Sequence, residues 1–144
     1  MLNNINHWLS KNSLYLAWIM ALISLVGSLY FSEIVGLALC SLCWYQRICM
    51  YPLVAIIGAG IIRRDKAVAI YALPLSIIGG GIALYQNLLI WRIIPESLGP
   101  CAIDTVSCVT QSFVVLGFIT LPLLSLVSFI LITGLMLADR NSSR

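Results

Sequence analysis

Two pairs of cysteines carry the chemistry open to this sequence. Cys40-Ser41-Leu42-Cys43 is a Cys-X-X-Cys, and Cys101 and Cys108 enclose six residues further along. Sulfurs two residues apart can close a small ring with little backbone movement. The positive end of a helix dipole stabilises a thiolate and lowers its pKa, and the thiolate is the species that exchanges disulfides. Cys40 and Cys43 open a long apolar run, so both sit where a helix would begin. Arg47 follows Cys43 by four residues, hence on the same helix face one turn deeper, with Gln46 beside it. The fifth cysteine, Cys49, lies about a turn and a half below Cys43 and has no evident mate; a free cysteine packs like a small hydrophobe.

The elements that position these residues belong to a membrane protein. Of 144 residues, 61% are hydrophobic and 9% charged, whereas soluble domains carry about 25% charged residues. Mean hydropathy is +1.04. This composition excludes a water-soluble enzyme, a disordered tail and a nucleic-acid binder. A bilayer core needs about 20 apolar residues in helix, and four stretches qualify: about 13–31, 43–62, 67–91 and 111–137. The expected fold is therefore an all-α, four-helix transmembrane bundle in a single domain, with outer loops at about 32–42 and 92–110. Arg63-Arg64-Asp65-Lys66 is so short a turn that helices two and three form an antiparallel hairpin. Lys11, Arg63, Arg64, Lys66, Arg140 and Arg144 fall on one side, and only Arg92 lies in the opposite loops. The positive-inside rule then places both termini in the cytoplasm and Cys40, Cys43, Cys101 and Cys108 outside, where thiols meet oxidising conditions.

Other readings of the same residues compete. A cleaved signal peptide has an apolar region of 7–15 residues, shorter than the first run here. Leu37-Ala38-Leu39-Cys40 only loosely resembles a lipoprotein cleavage box, so the first segment reads as a retained helix. Ser24 and Ser28, Ala55 and Ala59, and Ser76 and Gly80 have the small-residue spacing of packed membrane helices. Pro74 and Pro122 should bend helices three and four. Trp44, Tyr45, Tyr30 and Trp91 suit an interfacial aromatic belt. Cys101 and Cys108, which follow the turn residues Gly99-Pro100, can be a structural staple. A four-cysteine metal site is a further option, but the six-residue gap is wide for one and no metal is expected. Arg47 is the only charge within the four spans. It either snorkels to lipid phosphate or serves a function; a Cys-X-X-Cys one turn above it, with Gln46 adjacent, favours function. At headgroup depth a guanidinium and an amide can hydrogen-bond a ring carbonyl. A lipid-soluble quinone accepts the two electrons that a dithiol releases on closing, so the stoichiometry matches.

Cys40-Ser41-Leu42-Cys43-Trp44-Tyr45-Gln46-Arg47 resembles the signature of the disulfide bond formation protein B (DsbB) family, whose core is cysteine–x–leucine–cysteine followed four residues later by arginine. The resemblance covers the whole chain, in size, helix number, orientation and placement of both pairs. It implies a protein of the bacterial cytoplasmic (inner) membrane that oxidises a thioredoxin-like extracytoplasmic partner and passes electrons to a membrane quinone, ubiquinone or menaquinone. It further implies Cys43 against the quinone, Cys40 as its exposed pair-mate, Cys101 as the sulfur attacked by the partner, Cys108 closing the loop disulfide, and Arg47 in contact with quinone. The short gap between Cys101 and Cys108 is similar to the BdbC-like members of Gram-positive bacteria. Near the end of helix three, where some members carry a histidine, this chain has Tyr85-Gln86-Asn87, so no helix-three ligand is carried over. His7, the single histidine, lies in the cytoplasmic tail.

The resulting expectation is a thiol:quinone oxidoreductase, with Cys40, Cys43, Cys101 and Cys108 catalytic and Gln46 and Arg47 binding quinone. Electrons run from the partner dithiol to Cys101–Cys108, then to Cys40–Cys43, then to the quinone pool. One rival is a quinone or vitamin K epoxide reductase running the cysteines in the reducing direction, but such proteins carry the Cys-X-X-Cys late in the chain. The other is a non-enzymatic membrane scaffold with a stapled loop, which leaves Arg47 without a purpose.

Overall fold

In lipid every backbone N–H and C=O must be satisfied within the protein, and an apolar run does so most simply as a helix. The computed structural model describes residues 1–36, 40–95, 97, 99, 114–115 and 119–143. Its helices are α1 (Leu2–Glu33), α2 (Ser41–Arg63), α3 (Val68–Ile90) and α4 (Leu121–Ser143). Four segments in them are long and apolar enough to cross a membrane: Asn12–Glu33, Ser41–Arg63, Val68–Ile90 and Leu121–Asn141. The chain is a four-helix membrane bundle. α1 packs on α2 and α4, and α3 packs on the same two helices from the other side.

The helix limits differ from the expected ones in three places. α1 continues back through the polar start of the chain to Leu2, since no glycine or proline interrupts residues 1–26. α2 starts at Ser41, with Cys40 as its N-cap in extended conformation; the Cys40 carbonyl accepts the first N–H groups, from Cys43 at 3.1 Å and Trp44 at 3.3 Å. The expected fourth helix from 111 is shortened to one that starts at Leu121. Ahead of it, Val114–Val115 (β1) pairs antiparallel with Ile119–Thr120 (β2). Pro122 is the reason for the late start: it lacks the N–H that an interior helical residue donates, and its fixed φ suits a first turn. It therefore opens α4 and does not bend it.

The turn between α2 and α3 is built from its own residues. Arg64 adopts the left-handed conformation (φ 53°), and Asp65 N–H reaches back to the Gly60 carbonyl at 3.0 Å, as in a Schellman ending. Asp65 Oδ1 then accepts the Ala67 N–H at 2.8 Å, at the entry to α3. Small residues let the helices approach: Ala17 and Ala21 of α1 and Ala72 and Ala83 of α3 are fully buried, around Leu53, Ile57, Phe129, Ile132 and Met136. Gly79 lies against the Phe129 ring so closely that an added Cβ would overlap it. One helical turn away, Ser76 and Thr133 hydroxyls meet at 2.7 Å. The outward faces carry Ile19, Ile23, Ile48, Ile70, Ile77 and Ile130, all exposed, as a lipid-facing surface requires. Tyr30, Trp44, Tyr45 and Trp91 are likewise exposed.

Candidate functional site

The first two turns of α2 align Cys43, Gln46 and Arg47, residues three and four apart, on one face. Cys40 comes under the end of α3 and packs with Leu42 and Leu89, with Tyr85 and Ile94 alongside. It is only 3% exposed, so the exposed pair-mate expected from the family resemblance is a buried sulfur. Cys43, in the first turn, is the less enclosed of the two. Their Sγ atoms lie 3.5 Å apart. With both protonated either can donate; once Cys40 ionises, Cys43 must be the donor. That hydrogen bond, helped by backbone N–H groups at the helix start and opposed by burial, lowers the Cys40 thiol to about 6.

A neutral polar network surrounds the pair. Gln86 of α3 directs Nε2 at both sulfurs, 3.4 Å from Cys40 and 3.3 Å from Cys43, and its Oε1 accepts Gln46 Nε2 at 2.7 Å. Gln46 Oε1 accepts the Ser125 hydroxyl of α4 at 2.8 Å. Asn87, next to Gln86, ties α3 to the start of α4 through Nδ2, which donates to the Pro122 carbonyl at 3.0 Å. Three helices thus converge on two sulfurs.

Arg47 is 4% exposed. Its Nε donates to Ser28 Oγ at 3.0 Å and its Nη2 to the Ser28 carbonyl at 2.6 Å, and the guanidinium lies 5.4 Å from the Trp44 ring centroid. The snorkelling alternative therefore fails: the side chain turns inward to α1. Among the described residues no carboxylate pairs with it, so a positive charge sits inside the bundle balanced only by dipoles. Cys43, Gln46 and Arg47 open into one cavity of about 350 Å³ between α1, α2 and α4, which Ser28, Phe31, Leu121, Ser125 and Phe129 also line. Most of its wall is apolar, and its polar groups gather at the cysteine end of α2. That is the donor set a flat, carbonyl-bearing apolar ligand requires.

The model of the family "Disulfide bond formation protein DsbB" matches residues 10–138. The chain belongs to this family. Membership carries a role in disulfide bond formation and accounts for a buried cysteine pair at a helix start. Among its relatives, "Disulfide bond formation protein C" of Bacillus subtilis is 47% identical over 121 residues, 83% of this chain and 86% of the relative. A "Probable disulfide formation protein" of Chlamydia trachomatis is 44% identical over 129 residues, 90% and 93% of the two chains. One of the same description from Metapseudomonas resinovorans is 40% identical over 130 residues, 90% of each. No solved structure gives a significant match.

Against this family background the structure brings Cys40, Cys43, Gln46 and Arg47 together, whereas Cys101 and Cys108 lie outside the described residues. The sequence alone gives Gln86, Ser28 and Ser125 no place in the site. Gln86-Asn87 did carry a signal, since two adjacent amides in an otherwise apolar span must find partners inside the bundle. Ser28 was read as a packing residue, and Ser125 had no signal beyond being polar. Cys49 is buried in the main core beside Met50 and Leu53.

Proposed function

We propose that this chain is a membrane thiol:quinone oxidoreductase of the bacterial inner membrane, which reoxidises an extracytoplasmic thioredoxin-like partner. Its termini face the cytoplasm, and Cys40, Cys43, Cys101 and Cys108 the outer side. The observation that carries the reading is the shared cavity. Cys43, the half-enclosed sulfur of a close pair, and Arg47, a buried charge with no carboxylate partner among the described residues, line the same apolar space.

The residues present fit a quinone. Arg47 and Gln46 would hold ring oxygens, and the apolar walls of α1 and α4 would take the ring and tail. Bound there, a quinone supplies the acceptor for the two electrons and two protons that the dithiol gives up. The chain does the rest. A partner dithiol reduces the Cys101–Cys108 disulfide, and its own sulfurs leave as a disulfide. The Cys101–Cys108 dithiol then exchanges with the Cys40–Cys43 disulfide, so Cys101–Cys108 is oxidised again and Cys40 and Cys43 carry the electrons. Loss of those two electrons and two protons closes Cys40–Cys43 once more. Support for the exchange comes from Tyr85, whose ring packs against the Cys40 cluster and whose hydroxyl lies where a Cβ on Gly99 would stand. Gly99 is two residues ahead of Cys101, so the loop's described end meets the Cys40 side of the bundle.

Thiol trapping of the reduced, membrane-embedded protein, with and without added quinone, tests the proposal. Four reactive thiols at 40, 43, 101 and 108 are expected to disappear on quinone addition. Persistence of all four would refute the acceptor.

A further inference from the structure

Amide nitrogen and oxygen have almost the same shape, so which end of Gln86 faces the cysteines depends on its hydrogen-bond partners. The chain of partners starts on α4. The Ser125 hydroxyl has one proton and two acceptors nearby, Gln46 Oε1 at 2.8 Å and the Pro122 carbonyl at 2.9 Å. Asn87 Nδ2 donates to that carbonyl at 3.0 Å, so the carbonyl keeps a partner when the Ser125 proton is given to Gln46. With Ser125 as the donor, Gln46 presents Nε2 to Gln86 Oε1, at 2.7 Å, and Gln86 presents Nε2 to the sulfurs, at 3.4 and 3.3 Å. The opposite setting would turn the Gln86 oxygen, now 3.8 Å from Cys43 Sγ, squarely onto a sulfur that must carry negative charge during exchange. Gln86 is 2% and Gln46 7% exposed, so water is a poor substitute for either partner.

We propose that Gln86 is a catalytic residue of the cysteine pair. Its Nε2 donates to whichever of the two sulfurs is anionic, and Ser125, acting through Gln46, is the positioning residue that keeps this nitrogen turned toward them. The proposal rests on the reading of Cys40–Cys43 as the redox pair. It adds a neutral amide donor to the Cys43 thiol and the backbone N–H groups that already stabilise charge at the N-terminus of α2. An amide has an advantage here, because it stabilises a thiolate without the permanent charge of an ammonium or imidazolium in a membrane interior. The charged and titratable groups facing the pair, among the described residues, are Arg47 on α2 and the Tyr85 phenol on α3; α1 and α4 place none against it.

The test is the pH dependence of iodoacetamide alkylation of the reduced, full-length protein in detergent, read for Cys40 and Cys43 by peptide mass spectrometry. The midpoint belongs to the pair and not to one sulfur. Gln86→Leu is expected to raise it by about one to two pH units, the size of one charge-assisted hydrogen bond. Gln86→Glu, which keeps the shape but offers an acceptor, is expected to raise it further. Ser125→Ala should give a smaller rise in the same direction. Profiles of Gln86→Leu and Gln86→Glu that superimpose on the unsubstituted protein would reduce Gln86 to packing. If both fail to fold, Ser125→Ala decides, and an unshifted midpoint there overturns the relay. Alkylation needs no quinone, so loss of quinone reduction counts against the acceptor alone, and an unshifted midpoint against Gln86 alone.

Discussion

Replacing Arg47 by lysine keeps the charge and removes the fork, which separates a quinone contact from mere charge at the site. The guanidinium spends Nε and one Nη2 hydrogen on Ser28, at 3.0 and 2.6 Å. Those two bonds fix its plane and leave the remaining N–H groups for the cavity. A lysine ammonium is a compact charge on a flexible stem; if it bonds the Ser28 carbonyl it swings to α1 and leaves the cavity acceptor unmet. Loss of one charged hydrogen bond costs about 1.5–3 kcal/mol, or roughly ten- to hundredfold in apparent quinone affinity. The assay is the rate of disulfide formation by protein in lipid vesicles, followed against quinone concentration. Arg47→Lys should need roughly ten- to hundredfold more quinone for half-maximal rate, while thiol exchange between partner and loop cysteines stays normal. Ser28→Ala removes only the Nε acceptor and should shift the same curve less. An unchanged quinone dependence in a folded Arg47→Lys protein would refute the reasoning and leave Arg47 as a tie between α1 and α2.

Further outcomes follow from other parts of the bundle. Because the Cys40 thiol is lowered to about 6, its thiolate persists at neutral pH. Alkylation of the reduced Cys40–Cys43 pair should be near its plateau at pH 7 and fall below pH about 6, whereas an ordinary thiol would still be gaining reactivity near pH 8.5; a profile of the ordinary kind would contradict the hydrogen bond between the two sulfurs. Gly79→Ala sets a methyl group into the Phe129 ring and should cost about 1–3 kcal/mol, read as a lower thermal midpoint. Gly81→Ala meets nothing within 4 Å and should leave that midpoint unchanged or slightly higher. Cys108→Ala removes the resolving sulfur, so a mixed disulfide between Cys101 and the partner should accumulate on a non-reducing gel; normal turnover in that variant would end the two-pair relay.

Much of the architecture was legible without coordinates because a membrane imposes lengths. At 1.5 Å per residue, each apolar run had to be a helix of bilayer size, and the Arg-Arg-Asp-Lys turn could join α2 and α3 only as a hairpin. Placing Cys43, Gln46 and Arg47 on one face needed only the helical repeat. The start of α4 was misjudged because Gln111–Thr120 is apolar enough to prolong the run, and hydropathy does not register that Pro122 suits a first turn. Arg47 was ambiguous for a different reason. Its distance along α2 allowed both snorkelling and burial, and only the presence of Ser28 on the neighbouring helix turned it inward.

The amide network lay beyond the sequence altogether. A glutamine in an apolar span announces that it needs a partner, since an unsatisfied polar group in lipid is expensive, but its identity depends on which faces of α2, α3 and α4 meet. Gln46 lies 40 residues from Gln86 and 79 from Ser125 in the chain, and one hydrogen bond from each in the bundle. The types of these residues and the Cys-X-X-Cys spacing of Cys40 and Cys43 were determined by the sequence itself. The direction of each hydrogen bond, and with it the donor that faces the sulfurs, was decided by the tertiary structure, because donor and acceptor ends of an amide differ only in what packs against them.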